Sequence, residues 1–325
     1  MNLFTFLGTE PNAILIIVGV LGLIVGSFLN VVIYRLPKMM EREWRTQCTQ
    51  LLGDGAVIKK RQIKKTRFIK KLRLSPRRLR KLFATTNFLR SEQPAPTHSG
   101  DVFNLIWPRS RCPHCGHQIT ALENIPIFSY IWQRGKCTAC HKPISIRYPL
   151  IEGLSAILAI ITAVFVAPGW PLLGALALTW ALLAASVIDF DHQLLPDSII
   201  LPMLWLGLLC NRFELYTDLE SSLIGAIVGY LSLWTIYWLF KLITGKEGMG
   251  YGDFKLLALL GAWMGWQILP VIILMSSFVG AVVGITLIIS RGHDRNVPIP
   301  FGPYLAAAGW LSLLWGDTLT HIYLG

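Results

Sequence analysis

Long apolar segments dominate the pattern of hydrophobic and polar positions in this chain, and they predict helices. Six of them are long enough to be helices that cross a hydrocarbon core of about 30 Å. They cover residues 13–33, 149–166, 171–188, 222–243, 270–290 and 301–315. Two shorter apolar segments, residues 198–210 and 254–266, complete the pattern. We therefore expect an all-α polytopic membrane protein with about eight transmembrane helices.

The composition of the 325 residues agrees with this reading. Hydrophobic residues make up 53% of the chain and charged residues only 15%, whereas soluble domains carry about 25% charged residues. Mean hydropathy is +0.52. The first apolar segment has no basic residue before it and no small-residue cleavage pattern after it. It is therefore expected to be a retained anchor and not a removable signal peptide.

Positive charge is concentrated between the first two long apolar segments. Residues 35–147 hold 24 of the 30 basic residues. Basic residues close to helix ends favour the cytoplasmic side, and Arg35 and Lys38 at one end of this loop, with Lys142 and Arg147 at the other, place it in the cytoplasm. Alternating the later spans from there brings residues 189–197 and 246–253 to the same cytoplasmic face.

Three regions follow from this arrangement. Residues 1–37 form the first transmembrane helix, residues 38–147 a cytoplasmic loop, and residues 148–325 a transmembrane bundle. Residues 59–81 in the loop are strongly basic with interleaved apolar positions, and the favoured interpretation is contact with anionic lipid of the inner leaflet. The alternative is that residues 59–81 are simply exposed to solvent and bind nothing. Nucleic acid is not an expected partner, because no nucleic-acid motif accompanies the charge.

Paired cysteines in the same loop predict a metal site. Cys112 and Cys115 form one C-x-x-C motif and Cys137 and Cys140 form a second, with 21 residues between the two motifs. Four thiolates in this pattern are typical of a structural Zn²⁺ site in a small zinc-ribbon-like lobe. Two disulfides are one alternative, but the cytoplasm keeps thiols reduced. A redox-active C-x-x-C motif is the other, but it would not need a second copy.

Two aspartates at the edges of apolar segments are the candidate catalytic groups. Asp189 follows the segment that ends at residue 188, and Asp253 precedes the short segment that begins at residue 254. A carboxylate at the border of lipid is costly and marks function. If two such groups meet, one can keep its proton while the other activates water, as an aspartic protease requires.

The glycines before Asp253 add a possible substrate loop. Gly250 and Gly252 flank Tyr251 directly before the acid, and glycine lets another backbone approach closely.

The acids could instead have structural roles: Asp189 and Asp197 could cap or anchor helices. Glu152 could be a further active-site acid or a partner of Arg147, and a structural role is favoured for it.

These motifs together resemble those of the bacterial type IV prepilin peptidases, which are GxGD-type aspartic proteases. The resemblance extends almost from end to end. It rests on seven motifs: residues 26–37 (GSFLNVVIYRLP), the paired C-x-x-C, residues 123–126 (ENIP), 147–150 (RYPL), 188–197, 250–253 (GYGD) and 300–304 (PFGPY).

The resemblance implies a bifunctional enzyme of the bacterial inner membrane. Such an enzyme cleaves the basic leader from type IV prepilins, and from pseudopilins of type II secretion, on the cytoplasmic side. It then methylates the new amino terminus with S-adenosylmethionine. The implied catalytic residues are Asp189 and Asp253, and the implied metal ligands are the four cysteines. The residues do not indicate a methyl-donor site, since no strand, Gly-rich turn and helix announce a nucleotide-binding domain.

Two other classes of function are compatible with parts of the pattern. A non-enzymatic, zinc-anchored membrane component of a secretion or pilus machine would need the cysteines but neither aspartate. A transporter would need acids near the middle of a span and two related halves, and the sequence has neither.

Overall fold

The computed structural model describes residues 11–52, 103–245, 248–291 and 300–324. These residues form nine α helices and a 3₁₀ turn at Leu122–Asn124, with no β strand beyond two isolated bridges. In chain order the helices are α1 (Pro11–Leu52), α2 (Phe128–Trp132), α3 (Arg147–Phe165), α4 (Trp170–His192), α5 (Asp197–Asn211), α6 (Leu219–Thr244), α7 (Tyr251–Met264), α8 (Leu269–Arg291) and α9 (Gly302–Leu324).

The predicted all-α membrane fold is confirmed, but the number of eight crossings is not. Every predicted apolar segment falls on a helix. In the described part of the chain, five helices are long and apolar enough to span a bilayer, namely α1, α3, α4, α6 and α8. Helix α5 is apolar but shorter, and α7 has only 14 residues.

Helix α7 lies at the centre of the main hydrophobic core. It packs against α5, α6 and α9, and an unbroken run of its residues, 256–263, is buried. Glycines permit a very close approach to α6: a Cβ at Gly225 would lie 2.4 Å from the carbonyl oxygen of Gly261. A short helix without a polar face is stable here because its neighbours surround it.

Helices α1 and α3 also meet through small residues. A Cβ at Gly26 would lie 2.8 Å from the Cα of Glu152, and the Ser155 hydroxyl donates a hydrogen bond to the Gly22 carbonyl at 2.7 Å. Such small-residue contacts are the usual way in which membrane helices associate.

The chain divides into two compact units. One comprises Met1–Pro37 with Arg109–Gly325, and the other is Lys38–Pro108. The described residues of the second unit include the end of α1, where Arg45 forms an ion pair with Glu41 at 2.5 Å. The basic run at residues 59–81 lies outside the described residues, and the predicted three-region division stays a prediction.

Candidate active site and metal centre

Asp189 lies in the last turn of α4 and is held from the start of α9. The helix ends directly after it, where Gln193 has a left-handed backbone and donates its N–H to the Asp189 carbonyl at 2.8 Å. The carboxylate is only 6% exposed. Its Oδ2 accepts a hydrogen bond from the Gly302 N–H at 3.0 Å, so one carboxylate oxygen has a fixed partner.

Asp253 lies in the first turn of α7 and is equally buried, at 6% exposure. Its N–H donates to the Gly250 carbonyl at 3.3 Å, which closes the turn where the helix begins. The neighbouring Gly252 faces a side chain directly: a Cβ there would lie 2.8 Å from the Cβ of Leu195. Glycine is therefore required sterically at this position, whatever its relation to a substrate.

The fold brings the two aspartates together. Asp253 lies within electrostatic range of Asp189. Leu195 lies between Gly252, which precedes Asp253, and Gly302, which binds Asp189. The Leu195 side chain contacts Gly252 on one side, and on the other its Cδ1 would be 3.3 Å from a Cβ at Gly302. Two buried carboxyl groups thus share one small region at neighbouring helix ends.

Two ion pairs flank this region. Lys255, two residues after Asp253, binds both carboxylate oxygens of Asp197, at 2.8 and 2.7 Å. Arg147, at the start of α3, pairs with Asp191. The alternative that Arg147 pairs with Glu152 is therefore wrong. Asp197 does not cap its helix through its side chain either, since the N-cap is Pro196 and no side-chain capping bond is made.

The four predicted metal ligands converge. Their Sγ atoms all lie within 4.8 Å of one another, with Cys112 and Cys140 at 3.8 Å and Cys115 and Cys137 at 4.0 Å. A tetrahedron with Zn–S bonds of about 2.3 Å has S–S edges of about 3.8 Å. No disulfide joins them. The donor set and its spacing fit Zn²⁺, and no histidine of the described residues joins the cluster.

The two cysteine motifs have the same local geometry. In each, the first cysteine donates its N–H to a carbonyl five residues later, His117 in one case at 2.8 Å and Lys142 in the other at 3.0 Å. The residue after each motif, Gly116 or His141, has a positive φ. This repeated turn aims both thiols of a motif towards the same point.

Glu123 connects the two motifs. Its carboxylate accepts the Thr120 N–H at 2.8 Å and the Thr138 hydroxyl, and it contacts His117 Nε2 at 3.2 Å. The Thr120 N–H, and then the Thr138 hydroxyl, lower the pKa of Glu123 to about 2. The side chain is thus an anion at neutral pH, and it links residues around both halves of the cysteine cluster.

Three contacts of the site are not evident from residue spacing. Long-range packing brings Gly302 to Asp189, Leu195 to Gly252 and Gly302, and Lys255 to Asp197. Only Gly302 has a sequence signal, because it belongs to the motif at residues 300–304.

Comparison with known proteins gives a consistent result. Residues 20–166 match the family profile described as Bacterial Peptidase A24 N-terminal domain, and residues 176–285 match the Type IV leader peptidase family. A protein of Stutzerimonas stutzeri named prepilin leader peptidase/N-methyltransferase is 51% identical over 98% of this chain and 96% of its own length. Relatives of the same name from Pseudomonas aeruginosa and Dichelobacter nodosus are 48% identical (100% of this chain, 98% of the relative) and 45% identical (94% and 93%). No solved structure matches this chain significantly.

Proposed function

Because the chain belongs to the type IV leader peptidase family, we propose that it is a membrane aspartic endopeptidase that cleaves prepilins and pseudopilins. The cleavage removes the short basic leader on the cytoplasmic side of the bacterial inner membrane. The same chain then methylates the new N-terminal residue, with S-adenosylmethionine as methyl donor. The names of the relatives support both activities.

The observation that carries the peptidase proposal is the pair formed by Asp189 and Asp253. Both carboxyl groups are almost completely buried and lie within each other's electrostatic range. Two like charges so close cannot both ionise easily, so one carboxyl group stays protonated. That combination supplies a base and an acid in one place.

The chemistry follows from this division of roles. The ionised carboxylate takes a proton from a water molecule, whose oxygen attacks the scissile carbonyl carbon. The protonated carboxyl group donates to the carbonyl oxygen and later to the leaving amine. Gly302 fixes one oxygen of Asp189 through its N–H, so this carboxylate keeps its orientation during the reaction. Gly250 and Gly252 carry no side chain on either side of Tyr251 in the neighbouring loop, and an extended peptide can lie against the backbone there.

The metal role is structural in this proposal. Zn²⁺ held by Cys112, Cys115, Cys137 and Cys140 would supply folding free energy to a lobe with little hydrophobic core. The four thiolates would fill all ligand positions of a tetrahedral Zn²⁺, which is the pattern of a structural and not a catalytic zinc site.

The cytoplasmic orientation rests on charge. The basic residues at both ends of the first loop favour the inside, and the anionic inner leaflet would attract the basic run at residues 59–81. Both aspartates then face the compartment in which prepilins carry their leaders.

The test compares three isosteric changes in the purified protein, assayed with a prepilin and followed by mass. Asp189→Asn and Asp253→Asn should each reduce leader removal by at least about a thousandfold, since a dyad works as a unit. Asp218→Asn is the matched control. Asp218 caps α6 by accepting the Ser221 N–H at 2.7 Å, and asparagine caps equally well, so its activity should be unchanged.

Full activity in either dyad variant would refute the assignment of Asp189 and Asp253 as the catalytic groups. Wild-type protein that removes no leader would favour the non-enzymatic, zinc-anchored membrane component, which needs the cysteines alone.

A further inference from the structure

A cavity separate from the aspartate pair lies beside α1. Its volume is about 230 Å³. It is lined by two polar side chains, one aromatic ring and three other apolar side chains: Ser27, Asn124, Phe28, Ile24, Val31 and Pro126. Four of these residues lie on α1, and the other two belong to the segment between the cysteine motifs.

A buried carboxylate stands directly behind this cavity. Glu152, on α3, is 8% exposed. Its Oε2 accepts the N–H of Ile127 at 2.8 Å, and it also shares a hydrogen bond with the Ser27 side chain. Glu152 therefore joins both walls of the cavity, since Ser27 lies in one wall and Ile127 follows Pro126 in the other.

The proposed peptidase chemistry does not involve this carboxylate. Within the described ranges, no Lys, Arg or His forms a salt bridge with it. A buried charge without a cationic partner is costly. The segment that it anchors is also strained: Ile127 has a φ of 57°, which is rare for a β-branched residue. Strain of this kind clusters at ligand sites.

The chemistry of the cavity suits a cationic ligand with polar groups. Phe28, 53% exposed, offers an aromatic face, and aromatic faces attract cations such as sulfonium or quaternary ammonium groups. Glu152 adds negative charge behind the ring. Ser27 and Asn124 add a hydroxyl and an amide that can bind hydroxyl or amino groups of the ligand.

The position of the cavity within the chain separates it from the peptidase. Its lining residues and Glu152 all lie in the part that matches the N-terminal family profile, residues 20–166. Both aspartates lie in the part that matches the leader peptidase profile, residues 176–285. The relatives' names carry two activities, and this cavity lies in the part of the chain that the leader peptidase profile does not cover.

We infer that the cavity lined by Ser27, Phe28 and Asn124 binds the methyl donor S-adenosylmethionine, with its sulfonium next to Phe28 and Glu152. This inference rests on the proposed function, because it presumes that the chain methylates its product. In the transfer, the amine nitrogen of the new N-terminus forms a bond to the methyl carbon and later loses a proton to water. The carbon–sulfur bond breaks with its electron pair on sulfur, which leaves S-adenosylhomocysteine.

The size of the cavity limits what it encloses. Complete small-molecule sites measure about 300–1,000 Å³, so this cavity encloses the methionine and sulfonium part of the donor. The rest of the donor would extend beyond the cavity. Glu152 is a positioning residue in this arrangement: it holds both walls and supplies charge, while Ser27, Phe28 and Asn124 touch the donor.

The test is calorimetric binding of S-adenosylmethionine and of S-adenosylhomocysteine to the full-length protein in detergent. Phe28→Ala and Asn124→Ala should each weaken binding of S-adenosylmethionine about tenfold, the size of one cation–π contact or polar contact. Their controls are Phe128→Ala and Gln133→Ala, at residues between the cysteine motifs that do not line the cavity. The controls should bind like the wild type.

The charge of the donor gives a second, independent readout. S-adenosylhomocysteine lacks the positive sulfonium, so Glu152→Gln should reduce the preference for S-adenosylmethionine over S-adenosylhomocysteine. Glutamine keeps an oxygen that can accept a hydrogen bond from the Ile127 N–H, so this wall of the cavity should stay in place. A purely structural role of Glu152 would leave the preference unchanged.

Leader removal is measured on the same preparations. Wild-type protein that removes leaders but binds no S-adenosylmethionine would overturn this inference alone, as would unchanged binding in both Phe28→Ala and Asn124→Ala. Wild-type protein that binds the donor but removes no leader would overturn the proposed peptidase and leave the donor site standing.

Discussion

Gly302 is the residue on which the geometry of Asp189 depends most directly. Its N–H binds the carboxylate, and a Cβ there would lie 2.6 Å from Oδ2 of Asp189, closer than side-chain carbons approach an oxygen. Gly302→Ala must therefore displace the carboxylate. Misplacing a catalytic group by about 1 Å can cost on the order of a hundredfold in rate. We expect a loss of leader removal between tenfold and about a hundredfold, measured as kcat.

The matched control for that change lies on the same helix. A Cβ at Gly316 would meet nothing within 4 Å, so Gly316→Ala should leave kcat unchanged. Equal activity of Gly302→Ala and Gly316→Ala would show that the oxygen bound by Gly302 does not take part in the reaction.

The cysteine cluster could be predicted from the sequence alone. The four cysteines were predictable as a cluster because C-x-x-C spacing imposes its own local turn, and both turns have the same geometry. The surroundings of the aspartates were less predictable. Packing between helices brings Leu195 to Gly252 and Lys255 to Asp197, and nothing local encodes such contacts.

At the scale of elements, the ends of α5 and α7 are joined by the ion pair between Asp197 and Lys255. The pair is partly exposed, with side chains 53% and 31% accessible, so solvent screening keeps its contribution below about 1 kcal/mol. A double-mutant cycle with Asp197→Asn and Lys255→Met should give a coupling energy of this size in thermal unfolding. Salt should weaken the coupling. A coupling of zero at low salt would mean that the pair does not join the helices in solution.

Close packing of α6 on α7 is a stronger constraint. A Cβ at Gly225 would lie 2.4 Å from the Gly261 carbonyl oxygen and 2.8 Å from backbone carbon of Gly265. Backbone cannot yield as a flexible side chain does. Gly225→Ala should therefore lower the free energy of unfolding by about 1–3 kcal/mol, and it should displace Asp253 at the start of α7.

Gly153→Ala on α3 is the comparison, since its Cβ would meet only the Ile127 Cδ1 at an ordinary 3.7 Å. It should be neutral or stabilise by up to about 1 kcal/mol through helix propensity. The measurement is the melting temperature of both variants in detergent. If Gly225→Ala melts no lower than Gly153→Ala, the two helices are not packed through these glycines.

The sequence predicted helices well and crossings less well. Apolar runs specify helices because any buried backbone must satisfy its hydrogen bonds internally. They do not tell whether a short helix such as α5 or α7 reaches across a bilayer or is enclosed by neighbours. The buried surface of α7 is formed by three other helices, and that environment has no counterpart in the local pattern.

In the molecule as a whole, different interactions stabilise the membrane bundle and the cysteine cluster. The bundle is held by helix packing, as the continuous core around α7 shows. The cysteine segment has almost no buried apolar side chain apart from Cys137, so bound metal must supply its stability. Removal of the metal should therefore unfold this segment and leave the bundle intact.

Cys112→Ser tests this separation, with Cys48→Ser as control, because Cys48 is exposed and outside the cluster. Zinc content, measured by plasma emission spectrometry, should fall from about one atom per chain to near zero in Cys112→Ser and stay at one in Cys48→Ser. Helical circular dichroism should change little in both, since α3 to α9 carry most of the helix. A large loss of helix in Cys112→Ser would mean that the metal stabilises the bundle as well. The two parts would then fold as one cooperative unit.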